Sequence, residues 1–249
     1  MIKAIFQGIK SYASSFKLMS QLGLWKYFAI PILISLIVAS SIGFISWGLS
    51  DDIGFYISKI WFWEWGSETF RSISNVLGGI SVIALGLIVY RHTIMAISAP
   101  FMSPVSEKIE QHLLGNTYSH RDSSQISQLL RGIRINGRNL VFELLLTIPL
   151  LLISLIPVLN IISLVLIYLL QSYYAGFGNM DYTLERHFNY SESIKFVKRN
   201  RGTAIGNGMV FMTLLLIPVI GIIIVLPLSV TASTTETIRL LNQKNVNER

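Results

Sequence analysis

Apolar residues arrive in long blocks separated by short polar stretches. From Tyr27 to Leu49 the chain is nearly all apolar, enough to cross a bilayer, since a span needs about 20 residues. The pattern predicts a transmembrane helix over 27–49, with Pro31 in its first turns, where freed backbone groups are easiest to satisfy. A second block predicts a span over 76–98. The third, residues 140–177, is broken near its middle by Pro157 and Asn160, and a shorter version over 209–235 is broken by Pro218 and Gly221. The shorter copy has arms of roughly 15 Å at 1.5 Å per residue, against a hydrocarbon core of about 30 Å, so the spacing predicts a hairpin that enters and turns back. The longer copy fits either a re-entrant hairpin or a tight pair of nearly full spans.

The polar blocks carry a different period. Residues 1–26 set Ile2, Phe6, Ile9, Ala13 and Phe16 at spacings of three and four, as expected of an interfacial helix, though a lysine-flanked lead-in to the first span reads the same way. Over 100–139, Ile126, Leu129, Leu130 and Ile133 share one helical face and Arg131, Arg134 and Arg138 another, which predicts a surface helix offering a basic stripe to lipid phosphates or anions. Residues 178–208 predict another polar helix, with Lys195, Lys198, Arg199 and Arg201 after a Ser/Glu start, and 236–249 form a tail. The segment 50–75 differs: Trp61, Trp63 and Trp65 suit an interfacial belt, and its few basic residues place it outside. The other four polar segments hold nearly all the lysines and arginines and are expected in the cytoplasm, with both termini. Each broken segment then leaves the cytoplasmic side and returns to it.

Composition agrees with this pattern. Hydrophobic residues make up 52% of 249 and charged residues 13%, with a mean hydropathy of +0.57, outside the range of soluble domains. The net charge of +7 flanks apolar blocks, so anionic lipid and topology account for it without nucleic acid. The chain has no cysteine, which excludes disulfides, thiolate metal sites and cysteine catalysis. His92, His112, His120 and His187 have no metal-ligand spacing, and no phosphate-cradling loop with a Lys-Ser/Thr is present, so no catalytic residue, metal or cofactor is assigned.

The candidate chemistry is anion capture. A helix start aims unpaired N–H groups and a positive dipole end at the same point, and Gly23, Leu24, Trp25 and Lys26 stand at the mouth of the first span. Glycine permits close approach to the backbone and Lys26 supplies charge. Of the remaining polar residues, Arg91 and His92 read as snorkelling toward the inner interface, Glu143 as an interfacial partner of Arg138 and Asn139, and Glu107 with Glu110 as a solvated face. An irregular turn at membrane depth must be buried in protein or line a wet cavity, so Pro157, Asn160, Pro218 and Gly221 are either walls of a path or packing devices.

These stretches resemble, in order and spacing, the family that joins the CysZ sulfate permeases with the etoposide-induced membrane proteins. The resemblance rests on GIKSYASSFKLMSQLGLWKYFAIPILIS, on SAPFMSPVSEKIEQHLLG, on the two IPV turns and on DYTLERH and SIKFVKRNRG between them. It implies an all-α integral membrane protein with two long transmembrane helices, two Pro-broken hemi-penetrating hairpins and amphipathic cytoplasmic helices. It further implies a homo-oligomer in the bacterial inner membrane that moves sulfate inward for cysteine synthesis. The family's sulfate site is a Gly-Leu-Arg motif, often followed by a second arginine. Here Gly23 and Leu24 match, Trp25 replaces the first arginine, and Lys26 takes the next basic position. Ser35 stands where the family often has asparagine after the first-helix proline. The alternative is a non-transporting scaffold or lipid-associated protein of the same fold.

Overall fold

The computed structural model describes residues 1–58, 86, 88–115, 124–154, 159–217 and 220–247, and every regular element among them is helical. Trp61, Trp63, Trp65, Pro157, Pro218 and positions 76–85 and 87 of the expected span 76–98 lie outside the described residues. Helix α1 (Ile2–Gln21) leads through a 3-10 turn (Leu24–Phe28) into α2 (Ala29–Ser58), which runs past the expected end at Leu49. A helical stretch over 88–97 precedes α3 (Ala99–Leu114), which has Pro100 in its first turn, where its missing N–H costs nothing. Then follow α4 (Gln125–Ile153), α5 (Leu159–His187), α6 (Tyr190–Arg199), α7 (Arg201–Leu215) and α8 (Ile220–Asn247).

Local chemistry sets several of these ends. Ser124 accepts from the Ser127 N–H at the start of α4. At α6 Asn189 and Glu192 form a reciprocal capping box, 3.0 and 2.9 Å, which satisfies two otherwise orphaned donors. Pro157 and Pro218 fall between α4 and α5 and between α7 and α8, and the arms of each pair contact one another.

Element boundaries differ from the sequence expectation in one respect. The surface helix expected to end at 139 and the first arm expected to begin at 140 are a single 29-residue helix, α4. Likewise α5 carries the second arm onward to His187, through the start of the polar segment 178–208. A switch from amphipathic to apolar patterning changes what a helix faces, and nothing in the backbone need break there. Leu24–Ile45, Gln125–Ile153 and Leu159–His187 are each long and apolar enough to cross a membrane.

The helices assemble with apolar residues outward. On α4 the buried face is Gly132, Ile135, Asn136, Asn139, Glu143 and Thr147, while Val141, Leu145, Leu146, Ile148 and Leu152 are exposed. On α1 the apolar face outlined by Ile2, Phe6 and Phe16 is exposed, and Gly8, Ser11, Tyr12 and Ser15 are buried against α7 and α8. Lipid tails are as apolar as a core, so close backbone contact and interhelical hydrogen bonds carry the association. At the broad α5–α7 interface a Cβ on Gly176 would run into the Ala204 carbonyl and one on Gly208 into that of Ser172. The interior donors and acceptors are linked: Tyr12 donates to Ser229 Oγ at 2.7 Å and Asn179 to Asn207 at 3.0 Å. Ser106, Thr183 and Thr234 close a hydroxyl triangle at 2.8, 3.1 and 3.0 Å.

Candidate functional site

The turn between α1 and α2 leaves its backbone open. The Leu22 N–H bonds to Leu18 and the Gly23 N–H to Ser20, closing α1. Gly23 then turns the chain through the left-handed region at φ 59°, where side-chain-bearing residues are disfavoured. A Cβ added there would meet nothing within 4 Å, so the backbone is open to approach. No side chain caps the 3-10 turn that follows. Leu24 is fully buried and anchors the turn, while Lys26 is exposed.

Two side chains at this site behave as the sequence pattern did not show. The Trp25 indole N–H donates to Ser20 Oγ at 3.1 Å, and its ring stands edge-on to Phe16 and Phe28 at 5.2 and 6.0 Å. Its one donor is therefore spent within the protein. Lys108, from α3, comes to the same place: its ammonium lies 5.0 Å from the centre of the Tyr27 ring, and that of Lys26 5.6 Å. A second cation thus joins the first across 82 positions of sequence, a pairing that no local spacing reveals.

Three sequence expectations are corrected by buried ion pairs. Arg91 and His92 do not snorkel: they are 1% and 2% exposed, and both meet Glu143, itself fully buried, with His92 Nε2 at 2.9 Å from the carboxylate. Glu143 therefore reaches across to the 88–97 stretch rather than along its own helix, where Arg138 instead donates to Asn139 at 3.0 Å. The Arg91 guanidinium also touches the Met212 sulfur at 2.8 Å. Glu110 is not solvated: it is 1% exposed and accepts from Arg186 at 2.9 Å and from His187 at 2.5 Å. Burial pushes its carboxyl pKa up, and the His187 contact and the Arg186 charge outweigh this, so it rests below the ordinary carboxylate range.

The arginine stripe divides. Arg131 turns inward and donates to both oxygens of Asp181 at 3.1 and 2.9 Å, to the Phe188 carbonyl and to Ser193. Such a bidentate pair is consumed by the fold. Arg134 stacks over Tyr190 at 3.9 Å and is exposed, and Arg138 lies over Phe142 at 4.8 Å. At the breaks, Asn160 is exposed in the first turn of α5, among exposed Ile161 and Ile162. Gly221 is buried against Leu214 and Leu215, with its N–H bonded to Ile217 at 2.8 Å.

Apolar faces turned outward, a hydrogen-bonded polar interior and buried charge pairs define the class: an all-helical integral membrane protein. The chain belongs to the Sulfate transporter CysZ/Etoposide-induced protein 2.4 family, whose profile matches residues 11–225. Among its relatives is the Sulfate transporter CysZ of Pseudomonas fluorescens (strain Pf0-1), 26% identical over 185 residues, covering 72% of this chain and 74% of the relative. Another is the Sulfate transporter CysZ of Pseudomonas syringae pv. tomato, 28% identical over 162 residues, covering 63% of this chain and 64% of the relative.

Proposed function

We propose that this protein is a permease or channel for sulfate or a similar oxyanion in the bacterial inner membrane, supplying sulfate for assimilation into cysteine. The observation that carries the reading is the open, uncapped turn at Gly23 with two lysines beside it. Backbone N–H groups of the Leu24–Lys26 turn bind oxyanion oxygens, and Lys26 with Lys108 balances the two charges of sulfate. Trp25 shapes the turn from the side. The relatives that carry the transporter name support this choice over a scaffold.

The exposed apolar side chains support a particular membrane arrangement. On α4 the exposed apolar band from Val141 to Ile153 covers roughly 20 Å of axis, and on α5 that from Leu159 to Leu166 about 12 Å. Both fall short of the ~30 Å hydrocarbon core, although the helices themselves are long enough to cross. These short bands support a reading of the two pairs α4–α5 and α7–α8 as hemi-penetrating hairpins beside two full spans, with both termini cytoplasmic. At the tip of the first, Asn160 sits in an apolar band where lipid offers it no partner. A second copy of the chain or a wet path supplies one, which favours a homo-oligomer whose hairpin tips, at Asn160 and Gly221, line the route.

Equilibrium binding of labelled sulfate to the purified protein tests the site. Saturable binding should weaken by about tenfold or more in Lys26→Ala and in Lys108→Ala, with the wild-type melting curve retained. Unchanged affinity in Lys26→Ala places the anion elsewhere.

A further inference from the structure

A second basic concavity lies far along the chain from Gly23, where the α6–α7 junction meets the first turns of α1 and the last turns of α8. It encloses about 340 Å³ and is lined by Arg199, Arg201, Arg239, Thr203, Gln7 and Met1, among others. Arg239 is balanced within the protein, donating to Glu236 at 2.9 Å and to Gln7 at 3.1 Å. Arg199 and Arg201 are exposed and make no ion pair among the described residues. Two positive charges are therefore left at one cavity.

Two further features point to a ligand with oxygens. Thr203 is 1% exposed and lines the cavity, and its hydroxyl has no hydrogen-bond partner among the described residues. At the start of α7 the Asn200 carbonyl receives the N–H groups of Thr203 and Ala204 at 3.0 and 3.3 Å, but no side chain caps the turn. The exposed Arg201 stands at the positive end of a 15-residue helix, while Gly202 is buried against Met1 and Ala4. Met1 lines the cavity and is 71% exposed, and the outward apolar face of α1 begins at the next residue, Ile2, which is 70% exposed. A basic concavity beside an exposed apolar helix face fits an amphiphile with a phosphate head better than a small hydrophilic anion.

We propose that this cavity is a phosphate-binding site, occupied by the headgroup of an anionic phospholipid, and separate from the oxyanion site at Gly23. Its arginines hold the phosphate oxygens, the Thr203 hydroxyl and the Arg201 N–H complete the shell, and the acyl chains leave past Met1 at the start of α1. The site does not depend on what the protein transports.

The test uses the full chain in nanodiscs. Thermal midpoints are recorded as phosphatidylglycerol replaces phosphatidylcholine, and separately as inorganic phosphate is titrated into pure phosphatidylcholine discs. The wild type is expected to gain stability saturably with phosphatidylglycerol, and Arg199→Gln/Arg201→Gln to shift the half-saturation point by about tenfold. Lys195→Gln/Lys198→Gln, which removes the same charge from exposed α6 positions outside the cavity, is expected to respond as wild type. Saturable stabilisation by inorganic phosphate alone, lost only in the arginine variant, keeps the phosphate site and overturns the lipid source. Equal responses in the two double variants, to both probes, overturn the site.

Discussion

Replacing Glu143 with alanine removes the carboxylate that neutralises Arg91, and the structure sets the size of the effect. The two side chains are 0% and 1% exposed, and among the described residues the other contact of Arg91 within hydrogen-bond reach is the Met212 sulfur. A guanidinium left without its counter-ion in such surroundings costs about 3–5 kcal/mol, well above what loss of an exposed pair would cost. In a chain of this length each kcal/mol moves the midpoint by about 2–4 °C, so Glu143→Ala should melt about 6–20 °C below wild type in the same detergent. Arg91→Met/Glu143→Leu removes both charges and refills the volume, and should recover to within a few degrees, because a buried pair gains little over a packed apolar one. The assay is thermal unfolding of these three proteins, followed by intrinsic fluorescence. A wild-type midpoint for Glu143→Ala, or a double variant as unstable as the single, would refute the assignment of this cluster as a buried, mutually neutralising contact.

Other regions give independent tests. Because the Glu110 carboxyl sits below its ordinary range when folded, it stabilises the protein above the unfolded carboxylate pKa, and that contribution fades as pH falls through the lowered folded value. The difference in midpoint between wild type and Glu110→Gln should therefore be largest near neutrality and shrink on acidification; a gap that is constant with pH contradicts it. Gly208→Ala should cost about 1–3 kcal/mol, since its methyl group meets the Ser172 backbone of α5, and Gly43→Ala, where a Cβ meets nothing, should be neutral or better in parallel melts.

Much of the architecture was legible in the residue pattern because a membrane leaves few choices. The outward face of α1 follows from the spacing of Ile2, Phe6 and Phe16, and separate helices lie on either side of the positions of Pro157 and Pro218, which are outside the described residues. Where local reasoning failed, the partner was distant. Glu143 is near Arg138 in sequence yet pairs with Arg91, 52 positions away, because the buried face of α4 points Glu143 at the 88–97 stretch and leaves Arg138 at its edge. Glu110 read as solvated and Arg131 as part of an outward basic stripe for the same reason: their partners Arg186 and Asp181 lie on α5, 76 and 50 positions off. Lys108 was invisible as a neighbour of Lys26, since only the packing of α3 beside the first turn of the span brings them together. A charged residue in an apolar chain is better asked which helix faces it than which residue precedes it.

The central claim is that the open turn at Gly23 captures an oxyanion for transport. Uptake of labelled sulfate into proteoliposomes tests it most directly, measured for the wild type, Lys26→Ala and Lys108→Ala, with and without a pH gradient. The account predicts saturable uptake by the wild type and about tenfold or greater loss in Lys26→Ala. Unchanged uptake in Lys26→Ala, or no sulfate flux in the wild type, contradicts it, and the second result would leave the fold serving as a scaffold.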